Sequence, residues 1–208
     1  MNTRLLCTLA VLASGLSGMV PTASAGPILA DTWYEFSFAG AGAPTAGCSP
    51  ADPAGAVCTP STGTATTFAD APAWTITTGA GAFIVVTDAF NVGDAFEILD
   101  DGLPIFMTPF VAAGGACGDD PLDCLSNPAA SSASFALPAD DHAFTIAPLV
   151  SVEGLGAAYF CVGSTADSIC AGQTGEVPAP PTLGLLAIGL MAAASGLRRR
   201  RLPSGDSL

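Results

Sequence analysis

Clusters of aspartate in short polar segments are the residues of this chain best suited to chemistry. The segment from Gly118 to Asp123 carries three carboxylates, on Asp119, Asp120 and Asp123, inside a short loop bounded by two cysteines. Calcium takes roughly six to eight oxygen ligands from carboxylates and turn carbonyls, so this spacing predicts a calcium site at the three aspartates. The alternative is that each aspartate caps the backbone of its own turn.

Two further acidic clusters allow the same pair of interpretations. Asp88, Asn91 and Asp94 form one cluster, and Asp100 and Asp101 form the other. Neither contains an EF-hand or nonapeptide calcium pattern. We therefore expect these side chains to be either weak cation ligands or caps of the turns in which they lie.

A single histidine restricts the acid–base and nucleophilic chemistry that is open to the chain. His142 follows Asp140 and Asp141, which would allow a Ser-His-Asp arrangement, but the G-x-S-x-G motif is absent. A glycosidase-like pair of carboxylates is the other catalytic option, yet two tryptophans and two tyrosines leave few aromatic platforms for a sugar. We expect a structural or surface histidine, no catalytic residues and no enzyme.

Charge is distributed very unevenly along the chain. All five basic residues, Arg4 and Arg198 to Arg201, lie near the two ends, whereas every carboxylate except Asp206 lies between Gly26 and Glu176. A region with many carboxylates and no Lys or Arg repels phosphate backbones, so nucleic acid is excluded as a partner. It can attract cations, although most of these carboxylates are expected to be solvated surface groups.

Six cysteines follow the apolar N-terminal segment, which itself contains Cys7. An even number of cysteines in an exported chain predicts disulfides. A zinc site is the alternative, but the chain has no C-x-x-C pair. The Gly-, Pro-, Asp- and Ser-rich loops between neighbouring cysteines favour three local bridges: Cys48–Cys58, Cys117–Cys124 and Cys161–Cys170.

Short alternating segments separated by turns predict the elements that position these residues. Asp100-Asp-Gly102 has the composition of a hairpin turn, and no segment between Gly26 and Glu176 has a long helical period. Many short strands with frequent turns are typical of an all-β antiparallel sandwich, which we place at 26–175. The predicted strands are 31–38, 74–77, 82–87, 95–99, 103–108, 134–137, 142–146 and 157–162.

Both ends of the chain carry the features of targeting segments. At the N-terminus, a basic start, an apolar run and the small residues Ala23 and Ala25 predict a signal peptide over 1–25, cleaved before Gly26. Near the C-terminus, a proline-rich hinge precedes an uncharged stretch over 182–197 and the Arg cluster 198–201. This stretch is slightly short for a membrane helix, and the arginines can snorkel to extend it and stay on the cytoplasmic side.

The region 176–201 resembles the PEP-CTERM sorting signal of Gram-negative bacteria that make extracellular polysaccharide. Val177, Pro178 and Pro180 match its Val-Pro-Glu-Pro-like motif, with Ala179 in the position of the glutamate, and Arg198, Arg199, Arg200 and Arg201 match its basic end. The resemblance implies a sorting tail over 176–208 and processing by an exosortase-like protease. It also implies a transient inner-membrane stage before delivery to the cell surface or extracellular matrix.

A second resemblance concerns the ectodomain. The segment 85–98 resembles the V-x-D-x-x-x-x-G-D-x-F-x-V hairpin of jelly-roll ectodomains in secreted bacterial proteins. It favours a jelly-roll-like sandwich. Together the two resemblances imply an exported, non-catalytic protein with a structural or adhesive role in an extracellular polysaccharide matrix. A carbohydrate- or calcium-binding jelly-roll module is the alternative, and a small secreted hydrolase is a more distant one.

Overall fold

The structure is a computed structural model that describes residues 26–171. Short β-strands make up most of the regular secondary structure of this region, as the alternating sequence predicts. One short helix and a 3-10 turn at Ile169–Ala171 complete the elements of this region. The strands are β1 Gly26–Pro27, β2 Trp33–Ala39, β3 Thr66–Phe68, β4 Trp74–Thr77, β5 Phe83–Asp88, β6 Phe90–Asn91, β7 Ala95–Asp100, β8 Leu103–Met107, β9 Ala116–Gly118, β10 Ser132–Ala136, β11 Asp141–Val150 and β12 Leu155–Gly163, and α1 is Pro121–Ser126.

The strands form two five-stranded sheets and one small ladder. The first sheet has the order β1-β4-β11-β7-β8, the second sheet has the order β10-β5-β12-β2-β3, and β6 pairs with β9 apart from both. The all-β prediction is confirmed. Two edge pairs, β1 with β4 and β2 with β3, are parallel, so the sheets are mixed rather than wholly antiparallel as predicted.

Aromatic side chains from both sheets fill the space between them. Phe36 of the second sheet contacts Trp74 and Phe96 of the first, with ring centroids 5.6 and 5.7 Å apart. Trp74 also packs on Phe160 of the second sheet at 4.6 Å. Because alternate residues of a strand point to opposite faces, Tyr34, Phe36 and Phe38 all enter this core. The two sheets therefore form a sandwich.

The face of the second sheet that points away from this core is also covered. Trp33, Tyr159 and Cys161 form a smaller buried cluster there, against which Leu122 of α1 packs. The segment that follows β2 lies over the same face, because the Ser37 hydroxyl donates to the Gly47 carbonyl and accepts from the Ala56 amide. This second layer buries polar side chains of β2 as well as apolar ones.

All three predicted disulfides are present and hold parts of this outer layer in place. Cys48–Cys58 closes the segment over β2, Cys117–Cys124 joins β9 to α1, and Cys161–Cys170 ties β12 to the 3-10 turn. Such closed loops typically contribute on the order of 2–3 kcal/mol in the chain-entropy description. Three disulfides indicate an extracellular or otherwise oxidising environment.

Candidate functional site

A groove at one edge of the first sheet combines an apolar lining with a few polar groups. Its volume is about 680 Å³, and β1, β4 and β11 form its walls. Thr75, Thr77, Asp101 and Asp141 contribute hydroxyl and carboxylate groups to the lining, and Leu29, which is 70% exposed, contributes apolar surface. Grooves of this size, apolar with a few polar groups, are typical of ligand sites.

His142 lies at the groove with its ring almost wholly buried. Its Nδ1 is 2.6 Å from Asp100 Oδ2, and its Nε2 is 3.1 Å from Thr78 Oγ1 and 3.2 Å from the Pro138 carbonyl oxygen. The ring also stacks on Phe144, with centroids 5.3 Å apart. Asp100, His142 and Thr78 are in contact in the order of an Asp-His-nucleophile triad. However, the Thr78 hydroxyl donates to the Pro138 carbonyl and not to His142.

The hydrogen bonds around His142 favour a structural role. Burial alone would lower its pKa, but the hydrogen bonds with Asp100 and with the Pro138 carbonyl raise the pKa overall. Below this raised pKa both ring nitrogens carry a proton, and Nδ1 then donates to the Asp100 carboxylate and Nε2 to the Pro138 carbonyl. The Thr78 hydroxyl donates to the same carbonyl at 2.7 Å. A histidine with both nitrogens protonated cannot take a proton from a nucleophile.

His142 pairs with Asp100 and not with Asp140 or Asp141, the two aspartates that precede it in the sequence. Asp141 accepts a hydrogen bond from the Thr77 hydroxyl at 2.5 Å, and Asp140 accepts from the Asp141 amide. Asp100 instead reaches His142 from the neighbouring strand β7 and also accepts from the Ala143 amide at 3.0 Å. Only the pairing of β7 with β11 brings Asp100 there, and no local pattern indicates it.

The predicted calcium ligands lie beside α1 and bind protein groups. Asp119 accepts from both the amide and the hydroxyl of Thr62, and Asp120 accepts from the amides of Thr64 and Leu122. Asp123 lies exposed on the helix. These contacts correspond to the capping interpretation, and they leave calcium binding at the three residues a prediction.

The Asp88 cluster is a network of backbone caps. Asp88 is fully buried and accepts from the amides of Ala89, Gly93 and Asp94 at 2.9 to 3.0 Å. Burial is the main factor that raises the pKa of Asp88 to about 7, and repulsion from Asp94 adds to it. Asp94 in turn accepts from the Val152 amide at 2.7 Å. The carboxylates therefore fix the turn between β5 and β7.

Glu35 is a site residue that sequence reasoning missed. It lies in β2, where alternation indicates a solvent-facing position, yet its side chain is fully buried under the outer layer. Both of its carboxylate oxygens lack a hydrogen-bond partner. Burial raises the pKa of Glu35 to about 7, and the nearby Asp119 carboxylate adds to the shift. The Thr59 amide acts in the opposite direction, but it lies outside hydrogen-bond geometry. No local sequence pattern indicates this burial, because the cover over β2 comes from a later segment.

One group of three close metal-ligand atoms occurs among residues 26–171, and it includes Glu35. One ligand atom each from Glu35, Cys48 and Cys58 lies within 4.8 Å of the other two. The two sulfur atoms form a disulfide and so are not thiolate ligands for a metal. In the oxidised protein this group is therefore a carboxylate beside a disulfide.

The signal-cleavage residues Ala23 and Ala25 and the sorting residues Val177, Pro178, Ala179, Pro180 and Arg198 to Arg201 lie outside the described residues. Within residues 26–171, no helix has the length and apolar character needed to cross a membrane. The predicted helix at 182–197 lies outside that range.

Comparisons with known proteins assign no family to this chain. A scan against protein-family models gives no match, and searches of curated proteins and of solved structures give no significant match. Function must therefore be argued from the contacts and charges of this chain.

Proposed function

We propose that this chain is an exported, non-catalytic protein of the cell surface or extracellular polysaccharide matrix, with a structural or adhesive role. The observation that carries the proposal is the set of three local disulfides on a β-sandwich. In the described region without Lys or Arg, a single ion pair contributes to stability, so covalent loops replace ionic links. Such crosslinks suit a protein that works outside the cell.

The strand order supports a jelly-roll assignment for the domain. Eight strands have four or more residues, and they pair from the outside inward: β2 with β12, β4 with β11, β5 with β10 and β7 with β8. All four pairs are antiparallel. This is the order obtained when one long hairpin of eight strands is rolled into two sheets, as in the jelly roll with its two Greek keys.

The proposed route of export rests on the two terminal segments. A signal peptide over 1–25 starts translocation, and the tail over 176–208 holds the protein in the inner membrane until an exosortase-like protease cuts near the proline motif. The bacterium is then Gram-negative and makes extracellular polysaccharide. The acidic domain disfavours nucleic acid as a partner.

A carbohydrate-binding role is the second candidate, and the groove on the first sheet favours it. Thr75, Thr77, Asp101 and Asp141 present hydroxyls and carboxylates beside the apolar Leu29, a combination that suits the hydroxyls and ring faces of a sugar. The negative charge of the domain disfavours acidic polysaccharides. A neutral or amino-sugar polymer is the ligand class that this surface fits.

The export proposal is tested by the intact mass and location of the protein in its native host. We expect a species in the matrix or medium that begins near Gly26 and ends between Pro178 and Thr182. Replacing Arg198 to Arg201 with serine should abolish this processing, whereas Ala179→Glu should preserve or increase it. A membrane-bound form that retains the arginines in the wild type would contradict the proposal.

The groove is tested by co-sedimentation with insoluble neutral and amino-sugar polysaccharides. Ala143→Trp fills the groove and should reduce binding at least fivefold. Ala147→Trp is the matched control, because Ala147 lies on the same face of the same strand beyond the groove. Equal loss in both variants, or no binding by the wild type, would remove the carbohydrate-binding candidate without affecting the export proposal.

A further inference from the structure

Glu35 and the Cys48–Cys58 disulfide form a buried group that no role so far explains. The Glu35 side chain is fully buried with both carboxylate oxygens unpartnered, and one of them lies within 4.8 Å of both sulfur atoms. A buried polar group without a hydrogen bond costs about 1–3 kcal/mol, and more when it is charged. The oxidised protein therefore carries a local instability at this point.

The other two disulfides lack this feature. Among residues 26–171, no carboxylate or histidine lies close to both sulfur atoms of Cys117–Cys124 or of Cys161–Cys170. The groups that face Glu35 are the Tyr159 ring on the adjacent strand, the Asp119 carboxylate and the Thr59 amide. None of these is a cation, so Glu35 has no ion-pair partner in the oxidised state.

Reduction of the bridge would supply the missing partners. Two thiols carry two S–H donors. One Glu35 carboxylate oxygen lies within 4.8 Å of both sulfur atoms, and the Glu35 main-chain carbonyl oxygen lies 3.2 Å from Cys48 Sγ. The carboxylate thus stabilises the reduced form and leaves the oxidised form strained by an unsatisfied group. The balance between the two forms shifts towards the thiols, relative to a bridge in neutral surroundings.

We propose that Cys48–Cys58 is a reversibly reducible site that exchanges with small thiols, and that Glu35 is its proton donor and acceptor. Cys58 is the less buried end of the bridge and the end that we assign to attack: it is 6% exposed, whereas Cys48 has no exposure, and its neighbour Val57 is 85% exposed. Cys48 is the buried leaving group beside Glu35.

The reaction balances as an ordinary thiol–disulfide exchange. A thiolate of the small thiol attacks Cys58 Sγ, the bond between the two protein sulfurs breaks, and Cys48 leaves with the electron pair and takes the proton of the Glu35 carboxylic acid. A second thiolate then attacks the sulfur of the mixed disulfide that came from the small thiol. This releases Cys58, which takes a proton from water, and two small thiols leave as one disulfide.

The test equilibrates the oxidised protein with glutathione redox buffers and measures each bridge by thiol labelling and peptide mass spectrometry. Loss of hydrogen bonds to the thiols changes an equilibrium constant by several-fold per bond. The constant for reducing Cys48–Cys58 should therefore fall several-fold in Glu35→Gln and about tenfold in Glu35→Leu. The bridges Cys117–Cys124 and Cys161–Cys170 are controls in the same sample and should not change.

A second readout counts protons. The pKa of Glu35 is about 7 in the oxidised protein and should fall when the thiols donate to it. With glutathione as the reductant, both thiol protons come from the two glutathione molecules, so Glu35→Gln should exchange no net protons with solution. The wild type should instead release up to one proton per Cys48–Cys58 bridge reduced near neutral pH. The absence of net proton release by the wild type, or equal equilibrium constants in all three proteins, would overturn the proposal. So would opening of Cys48–Cys58 only together with Cys161–Cys170 as the fold is lost.

Discussion

At the residue scale, hydrogen bonds from backbone amides to carboxylates take the place that ion pairs have in most proteins. The described region contains one ion pair, between Asp100 and His142. Asp88 and Asp120 are instead satisfied by backbone amides. Amide donors bring partial charge without a cation, so the domain can bury carboxylates with almost no basic side chains. Glu35 is the exception, because both of its carboxylate oxygens are buried without a hydrogen-bond partner.

The Asp100–His142 pair gives a prediction with a defined pH dependence. The pKa of His142 is raised in the folded protein, so its stabilising effect is fully present below the unfolded pKa of about 6.5 and is lost as pH rises through the folded value. Asp100→Asn should cost about 2 kcal/mol at pH 5 and clearly less at pH 9. Urea unfolding at both values measures this.

The matched control for that substitution is Asp101→Asn, one residue further into the turn. Asp101 is exposed and is not a partner of His142, so its substitution should produce no comparable pH-dependent difference. An equal cost of Asp100→Asn at pH 5 and pH 9 would mean that the histidine is neutral in the fold.

At the element scale, the short helix α1 forms where the sequence indicated a loop. Asp120 is its N-cap, with the side chain accepting from the Leu122 amide, and Pro121 occupies the first turn. Both residues are typical of helix starts. The helix is too short to be stable alone, so the Cys117–Cys124 bridge and packing on the second sheet must stabilise it.

Two aspartates of the predicted calcium site should differ sharply in their effect on stability. Asp120→Ala removes the cap of α1 and the contact with the Thr64 amide, at a cost of roughly 1–2 kcal/mol. Asp123→Ala, on the exposed side of the helix, should cost less than about 0.5 kcal/mol. Thermal unfolding with calcium or with a chelator measures both. If chelation lowers the melting temperature of the wild type and Asp123→Ala abolishes that effect, the three aspartates bind calcium.

The hairpin between β7 and β8 depends on one turn. Asp101 and Gly102 have φ values of 49° and 77°, the left-handed pair typical of two-residue hairpin turns. Gly102→Ala should therefore cost about 1 kcal/mol, measured by chemical unfolding. Gly79→Ala is the control, because Gly79 has an ordinary φ and open space around it. Equal effects of the two would place the cost outside the turn geometry.

At the scale of the whole molecule, acidity and burial together make the domain favour mildly acidic conditions. Burial raises the pKa of both Glu35 and Asp88 to about 7. A carboxyl group with a raised folded pKa contributes stability that is present below its unfolded value near 4 and is lost as pH rises through 7. His142 contributes in the same direction, and ionisation of the surface carboxylates adds repulsion.

The domain should therefore be more stable at pH 5 than at pH 8. Glu35 alone should account for a difference on the order of 2–3 kcal/mol. Glu35→Gln should remove that part of the pH dependence, whereas Glu97→Gln, on the outer face of the first sheet, should leave it intact. Denaturant midpoints across pH 4.5 to 8.5 measure the profile, and a maximum above pH 7 in the wild type would refute the prediction.

The sequence by itself determined the features that depend on local pattern. Alternation placed most of the strands, because a strand with one buried face repeats every two residues. The β4 strand has the predicted ends, and the turn at Asp101 and Gly102 lies where composition indicated it. Cysteines close in sequence, with flexible loops between them, gave the three disulfides. The targeting segments also depend only on local composition, and they remain predictions.

Only the tertiary structure decided which distant residues meet. The strands β1 and β3 form parallel pairs at the edges of the two sheets. These pairs depend on where distant segments of the chain return to a sheet, and not on the periodicity of the sequence. Asp100 reaches His142 through strand pairing, across forty-two positions of sequence. Glu35 has the alternation of an exposed residue and is buried because a later loop folds over β2. A strand's sequence specifies which face a side chain points to, but the layers that cover that face come from elsewhere in the chain.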